Sequence, residues 1–333
     1  MPVLNVALIG SEEIARRMGK KGDVRDVESY VHKEGTGEDS RVLSFLRPLK
    51  YPEKLRPLLS VLDVARAGLL EVKKIDASIG ETMVALGCAG ITHGHAIIST
   101  GQGDWVDPEQ VRVLLDQAGL GDWKIHDSDF DEHSLKNELY DILEIASTDL
   151  ADDSASLILP VDQHFNVKGV GLVAIGYVQS GRVAKHDEVV VFPAGDQGIV
   201  RSLQVMDDDV ELAIAGDRVG LALRNLREQS LHRGCMVCLP NENALIRHDS
   251  SVMQIKPAPF QKRSLSEGEV VHAASDLQFV VGRVRSLEGV SVTVEWESPL
   301  WIRSDGSSEV IVVQLDATPM RIMGNAIEIQ RDA

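Results

Sequence analysis

The chain has 333 residues, of which 44% are hydrophobic and 26% charged, and this composition excludes disordered and fibrous proteins. The formal net charge of −17 repels phosphate backbones, so any contact with RNA has to be local. The apolar runs have strand length, and the first residues lack the basic and long apolar regions of a signal peptide, so we expect no membrane span and a cytoplasmic location.

A strand, a glycine and a helix form the first pattern in the sequence. Residues 3–10 are a continuous apolar run that ends at Gly10, and Ser11 is a suitable N-cap for the helix that follows. Further along, apolar spacing predicts helices at 52–66, 81–87, 108–118 and 132–146, and strands at 69–75 and 96–99. This alternation predicts an α/β domain over residues 1–150, with a mostly parallel sheet covered on both faces.

The pattern changes after an acidic stretch of small residues at 148–156, which we interpret as a linker. Short apolar runs separated by Gly, Asp and Asn follow, and these are typical of β-barrels. Strands are expected at 171–178, 188–192, 199–205, 218–223 and 235–239, and again at 269–272, 277–284, 290–296, 309–315 and 321–329. The sequence therefore predicts two all-β barrels, over residues 158–243 and 250–330.

The cysteines and one close pair of histidines give weak metal signals. The odd count of three cysteines excludes a secreted disulfide scaffold and fits a reducing compartment. Cys235 and Cys238 lie in a strand-like context, where residues three apart point to opposite faces and do not share one metal ion. His93 and His95 lack a carboxylate or thiol nearby in the sequence. We therefore expect a core strand at the cysteines, a loop at the histidines and no metal site.

Residues 162–240 resemble domain II of the EF-Tu/EF-1A translation factors. The matching segments share many fixed spacings and lie at 162–171, 176–183, 187–189, 215–224 and 233–234. Residues 252–329 are similar to the third domain of the selenocysteine-specific elongation factor, with Pro259-Phe260 near the start and the segment from Met320 to Gly324 near the end. The resemblance implies a GTPase-like α/β domain followed by two β-barrel domains.

The resemblance places a phosphate-binding loop at Gly10, but this sequence departs from its pattern. G-x-x-x-x-G-K-[ST] needs glycines that let backbone N–H groups wrap the phosphates, a lysine for their charge and a hydroxyl for Mg²⁺. Counted from Gly10, the second glycine is Ala15, the lysine is Arg16 and the hydroxyl residue is Arg17. We therefore expect a degenerate P-loop that does not hold a nucleotide.

Two carboxylates add repulsion at the same place. Glu12 and Glu13 fall in the loop and first helical turn. Acidic side chains there interact favourably with the positive end of the helix dipole and take the place of a bound anion. Against a triphosphate at about 4 Å, each would cost about 1–4 kcal/mol, depending on the effective dielectric constant.

The second switch of these factors reads D-x-P-G-H, and its best match lies at Lys50 to Lys54. Pro52 agrees with the pattern, but Lys50 replaces the metal-linked Asp, and Glu53 and Lys54 replace the phosphate-sensing Gly and the water-positioning His. The guanine-recognition pattern N-K-x-D is replaced near residues 99–104, where only Asp104 could be retained. We expect no GTPase activity, no catalytic residues and no cofactor.

Basic residues concentrate near the degenerate loop. Residues 1–74 hold 14 basic and 11 acidic side chains, whereas residues 75–150 hold 3 basic and 15 acidic ones. Arg16, Arg17, Lys20 and Lys21 are predicted to share one helix face on adjacent turns. This stripe is either a solvated helix face or a local contact to RNA phosphates or another anion.

The domain II surface departs from the family in a similar way. The region that often reads V-E-x-F-R-K in these factors, and that helps to hold the aminoacyl end of tRNA, here has Gln204 in place of Glu and acidic residues at 207–209. Conventional delivery of aminoacyl-tRNA is therefore not expected from this surface, because clustered carboxylates oppose a phosphate backbone.

The sequence resembles the archaeal group of elongation-factor-like proteins without GTPase activity. We expect a pseudo-GTPase of the translation apparatus whose partner is tRNA, rRNA or a translation factor, with no membrane and no DNA involved. Two alternatives stay open: a working GTPase with divergent motifs, and a protein-interaction scaffold without RNA contact.

Overall fold

A computed structural model describes residues 2–36, 40–101, 105–149 and 154–332. The first part of the chain alternates strands and helices. Its elements are β1 (Val3–Ile9), α1 (Glu12–Met18), β2 (Lys20–Val24), β3 (Val27–Glu34), β4 (Arg41–Pro48), α2 (Arg56–Leu62), β5 (Ala67–Val72), α3 (Ala77–Cys88), β6 (Gly94–Ile98), α4 (Pro108–Gln117), β7 (Lys124–Asp127) and α5 (Glu132–Asp149).

These strands form one seven-stranded sheet in the order β2-β3-β4-β1-β5-β6-β7. The five strands from β4 to β7 run parallel, and β2 and β3 extend one edge as antiparallel strands. Every residue of β1, β5 and β6 is buried, as expected for strands covered on both faces. The predicted α/β fold and mostly parallel sheet are confirmed, whereas the strands β2, β3, β4 and β7 were not predicted.

Local capping sets several element boundaries. The Ser11 hydroxyl accepts a hydrogen bond from the Ile14 N–H, which confirms the predicted cap of α1. The Asp76 carboxylate accepts the Ile79 N–H at 3.0 Å, so α3 begins earlier than the predicted residue 81. Helix α2 is shorter than predicted, because a turn occupies residues 51–53 and the helix begins only at Arg56.

The second part of the chain is all-β. Its strands are β8 (Leu159–Val167), β9 (Gly171–Tyr177), β10 (Arg182–Ala184), β11 (Glu188–Phe192), β12 (Asp196–Val205), β13 (Asp208–Val210), β14 (Leu212–Ile214), β15 (Arg218–Arg224) and β16 (Met236–Cys238). The sheet order is β11-β16-β8-β9-β15-β12-β13, and a further pairing of β11 with β12 closes a six-stranded barrel. Cys235 and Cys238 are buried at β16, as predicted for a core strand.

A second barrel follows, formed by β17 (Leu245–Pro257), β18 (Val270–Ser275), β19 (Gln278–Glu288), β20 (Ser291–Arg303), β21 (Val310–Val313) and β22 (Ile322–Arg331). These strands close in the order β17-β20-β19-β18-β21-β22. The fold class is therefore α/β plus two all-β barrels, as the sequence predicted. None of the helices in the described residues is long and apolar enough to cross a membrane.

Contacts divide the chain into two compact units. The first comprises Met1–Ala146, Ile255–Leu265 and Ile311–Ile327, and the second comprises Ser147–Gln254, Ser266–Val310 and Glu328–Ala333. The three predicted domain boundaries stay a prediction. Of the predicted linker at 148–156, the helix α5 includes the first two residues, and 150–153 lie outside the described residues.

Candidate functional site

The loop between β1 and α1 is occupied by a carboxylate from β5. The Ser11 N–H donates to Glu71 Oε2 at 2.5 Å, and Glu71 Oε1 accepts from the Ser99 hydroxyl at 2.7 Å. The Glu71 side chain is 5% exposed, and the ammonium of Lys73 lies 3.4 Å from Oε1. An internal acid therefore uses a backbone N–H of the loop where the resemblance implies phosphate binding.

Gly10 is required here because Glu71 lies so close to the backbone. A Cβ atom at Gly10 would stand 2.9 Å from Glu71 Cβ and 3.2 Å from Glu71 Oε2. The Gly10 carbonyl accepts a hydrogen bond from Arg47 Nε at 2.7 Å. This glycine therefore makes room for a side chain of the same protein, and Arg47 holds the loop in that position.

A second buried acid, Glu28, organises the charges beside the loop. Glu28 accepts from Lys21 at 2.7 Å, Arg47 at 2.7 Å and the Tyr30 hydroxyl at 3.1 Å. Burial of Glu28 opposes its ionisation, but these three hydrogen bonds outweigh burial and hold its pKa below the usual range. Lys21 also reaches Glu12 at 3.0 Å, and the hydrogen bond to Glu28 is the main reason that the pKa of Lys21 is raised. These cations are therefore neutralised by acids of the same domain.

The basic stripe predicted on one helix face does not exist as such. Arg16 and Arg17 lie in α1, but the helix ends at Met18, and Lys20 and Lys21 belong to the strand β2. The physical cause is Gly19, which adopts an extended backbone conformation and lies so close to β3 that a Cβ would stand 2.9 Å from the Val31 backbone.

The four basic residues also differ in their surroundings. Arg16 pairs with Glu12 on the exposed face of α1. Arg17 donates to Glu132 at 2.7 Å and to the Ser128 and Phe130 carbonyls, and its guanidinium stacks 4.0 Å from the Phe130 ring centroid. Those contacts fasten α1 to the start of α5, whereas Lys20 is exposed.

The segment that the sequence comparison matched to the second switch lies between β4 and α2, upstream of β5. Lys50, Pro52, Glu53 and Lys54 form a turn in which the Lys54 N–H donates to the Lys50 carbonyl at 2.7 Å. Pro52, Glu53 and Lys54 are exposed. Asp104, the candidate remnant of the guanine-recognition motif, lies outside the described residues.

A buried ion pair joins α3 to the segment Ile311–Ile327 within the first compact unit. Glu81 is 3% exposed and accepts from both the backbone N–H and the guanidinium of Arg321, with Nε at 3.0 Å from Oε1. This hydrogen bond raises the pKa of Arg321. Tyr51 packs beside the pair with its hydroxyl 2.8 Å from Thr82 Oγ1, and burial raises the pKa of Tyr51 to about 12.

Sequence reasoning missed Glu71 and Glu81. The signal for Glu71 was a single acid inside the apolar run of β5, which is unusual because buried carboxylates need partners. The partners themselves lie 60 and 240 residues away in the sequence, at Ser11 and Arg321, so spacing could not reveal them.

Comparisons with known proteins fit this architecture. A family model described as Elongation factor Tu domain 2 matches residues 171–238. An uncharacterized protein of Methanocaldococcus jannaschii is 30% identical over 296 residues, which is 89% of this chain and 87% of that protein. The Selenocysteine-specific elongation factor of the same organism is 35% identical over 140 residues, which is 41% of this chain and 29% of that factor.

Two solved structures share the fold. The crystal structure of translation elongation factor SelB from Methanococcus maripaludis in complex with the GTP analogue GppNHp matches with a TM-score of 0.76 and 19% identity, covering 100% of this chain and 80% of that chain. Bacterial selenocysteine-specific elongation factor EF-Sec matches with a TM-score of 0.74 and 20% identity, covering 98% of this chain and 58% of that chain.

The fold is thus that of a translation factor, with an α/β domain followed by two β-barrels. The chain belongs to the EF-Tu-type family and is similar to the selenocysteine-specific factors in particular.

Proposed function

We propose that this translation-factor-like protein neither binds nor hydrolyses GTP and acts in translation by binding tRNA, rRNA or another translation factor. The observation that carries the proposal is the Glu71 carboxylate on the Ser11 N–H. A nucleotide phosphate in this loop would have to displace Glu71, and the displaced acid would lose both its N–H and its Ser99 hydroxyl partner.

Among the described residues, the cations beside the loop are already paired with acids of the same chain. Arg16 pairs with Glu12, and Arg17 is turned toward α5, so neither position supplies the lysine or hydroxyl of the pattern. Arg47 donates to Gly10 O and Glu28. A triphosphate in the loop would therefore be repelled by Glu12 and Glu71, and the cations beside them would have to leave their present pairs to bind it.

Isothermal titration calorimetry with GTP and GDP in the presence of Mg²⁺ tests the first half of this proposal. We expect no binding tighter than about 100 μM, because the loop lacks a free phosphate cradle. A Kd in the micromolar range or below would contradict the proposal and favour a GTPase with divergent motifs. A selenocysteine-specific factor that binds GTP provides the positive control.

Retention of tRNA and rRNA at two salt concentrations tests the second half. Arg16 and Lys20 are the best candidates for a local phosphate contact, because both side chains are exposed. Replacing them also leaves the contacts between Arg17 and α5 intact. We expect Arg16→Glu/Lys20→Glu to weaken retention and flatten its salt dependence, whereas Lys262→Glu, an exposed control, leaves it unchanged.

Unchanged retention in the double variant would remove the α1–β2 region from consideration as an RNA contact. Absence of RNA at low salt would leave a protein factor as the partner. The composition of the native complex, identified after purification of the full chain, decides between those partners.

A further inference from the structure

Three side chains from different elements meet on one face of the sheet in the first compact unit. His95 lies in β6, His126 in β7 and Glu138 in α5. The register pairs His95 with Lys124 and Ile97 with His126, so both histidines point to the same face. That face is covered by α5, because Ile97 packs in the same core cluster as Leu135 and Leu139.

The donor atoms of the three side chains converge. His95 Nδ1 lies 2.9 Å from His126 Nε2 and 3.6 Å from Glu138 Oε2, and one ligand atom from each residue lies within 4.8 Å of the other two. His95 is 2% exposed, and His126 and Glu138 are half-buried. Two imidazoles and a carboxylate are therefore held at close range by three separate elements.

One ligand atom of this group, Glu138 Oε2, has an ion-pair partner but no hydrogen bond from the described residues. Glu138 Oε2 is inaccessible to solvent and receives no hydrogen bond from the described residues. Lys124 Nζ stands 3.1 Å away, at ion-pair distance but without hydrogen-bond geometry. A buried carboxylate oxygen that faces an imidazole pair in this way is a suitable ligand for a divalent cation.

We propose that His95, His126 and Glu138 bind one zinc ion. Zinc–nitrogen distances of about 2.0–2.1 Å and zinc–oxygen distances of about 2.0–2.2 Å place neighbouring ligand atoms of a tetrahedral site about 3.3 Å apart. The observed separations of 2.9 and 3.6 Å lie on either side of that value, so small side-chain shifts suffice. Three protein ligands leave a fourth position for water.

The protonation of the histidines agrees with this geometry. Burial lowers the pKa of His95 to about 4 and also lowers the pKa of His126. Both rings are therefore neutral near pH 7, which is the form that binds metal ions. Without zinc, the same two nitrogens share one proton in a hydrogen bond, and this ordinary histidine pair is the outcome that the experiment has to separate from a metal site.

Lys124 gives the proposal a second, independent test. Its ammonium faces the proposed ligand Glu138 and opposes a cation, and its side chain is 61% exposed, so it is free to move into solvent. Lys124→Gln removes the positive charge without touching a ligand. We expect this variant to bind zinc about tenfold more tightly, which a structural role in an ion pair alone would not produce.

Calorimetry of the metal-stripped full chain with zinc chloride measures the site directly. We expect one zinc ion per chain with a Kd in about the micromolar range, because only three ligands hold the ion and His95 Nε2 has no hydrogen-bond acceptor among the described residues to orient the ring. Cobalt in place of zinc is expected to give the visible absorption of a tetrahedral site. His126→Gln and Glu138→Gln should each weaken binding at least about tenfold.

The exposed histidines His93 and His133 provide matched controls, because His93→Gln and His133→Gln remove an imidazole without touching the cluster. Thermal melting checks that each ligand variant still folds. The proposal is overturned if zinc binds more weakly than about 100 μM, if His126→Gln and Glu138→Gln leave the Kd unchanged, or if the controls lose as much affinity as the ligand variants. This result is independent of the GTP measurement.

Discussion

Two buried carboxylates in the first compact unit are held by different kinds of partner. Glu81 in α3 meets the full positive charge of the Arg321 guanidinium and its backbone N–H. Glu71 in β5 meets a backbone N–H and a hydroxyl, and the nearby ammonium of Lys73 is 58% exposed. Glu81 is thus neutralised as part of a structural ion pair, whereas Glu71 is held mainly by dipoles, much as a loop would hold a bound anion.

The largest expected effect comes from breaking the Glu81 pair. Arg321→Met leaves a buried carboxylate without its cation, and we expect a loss of about 3–5 kcal/mol in the free energy of unfolding. Glu81→Met/Arg321→Met should recover much of that loss, because it removes the charge as well as its partner. Urea denaturation measures both variants.

The control for this prediction is Arg285→Met. Arg285 pairs with Glu295 on the surface, so we expect the urea denaturation midpoint of the Arg285→Met variant to equal that of the natural protein. A small effect of Arg321→Met, similar to that of the control, would show that the two acids are not held differently.

A smaller effect is expected at Glu71. Glu71→Ala leaves the Ser11 N–H and the Ser99 hydroxyl without their acceptor, which should lower the free energy of unfolding by about 1–3 kcal/mol. Glu71→Gln retains an acceptor oxygen and should lose less. Urea denaturation of the two variants side by side gives the comparison, and equal stability of Glu71→Ala and the natural protein would mean that the carboxylate does not hold the loop.

Asp217 is a third buried carboxylate, and here a backbone hydrogen bond offsets only part of the cost of burial. It is 5% exposed, its Oδ2 accepts the Ile214 N–H at 2.9 Å, and burial raises its pKa to about 6, although that hydrogen bond acts in the opposite direction. For an acid whose pKa is higher in the folded state, the stabilising contribution is present below the unfolded pKa and is lost as the pH rises through the folded pKa.

The raised pKa of Asp217 predicts the sign and the size of a pH dependence in the free energy of unfolding. Between pH 5 and pH 7.5, the natural protein should lose about 1 kcal/mol relative to Asp217→Asn, which keeps an acceptor for Ile214 but does not titrate. Denaturation of both proteins across this range measures the difference. Parallel pH curves would show that Asp217 is ionised in the folded state without penalty.

The first strand and its helix were predictable because their signals are local. A run of apolar residues, Gly10 and the Ser11 cap are adjacent in the sequence, and all three appear where expected. The edge strand β2 escaped prediction because charged residues interrupt any apolar alternation in it. The prediction that Arg16 and Lys20 share one helix face was wrong, because α1 ends where β3 approaches Gly19.

The sequence by itself determined the order of α/β domain and barrels, because this order follows from the apolar periodicity along the chain, and its resemblance to the EF-Tu/EF-1A factors indicated the family. Only the tertiary structure decided that Glu71 lies on the Ser11 N–H, that Arg321 pairs with Glu81, and that His95 meets Glu138. Each of these contacts joins separate elements, and the packing of the sheet, rather than the local pattern, determines which distant polar groups share a buried space.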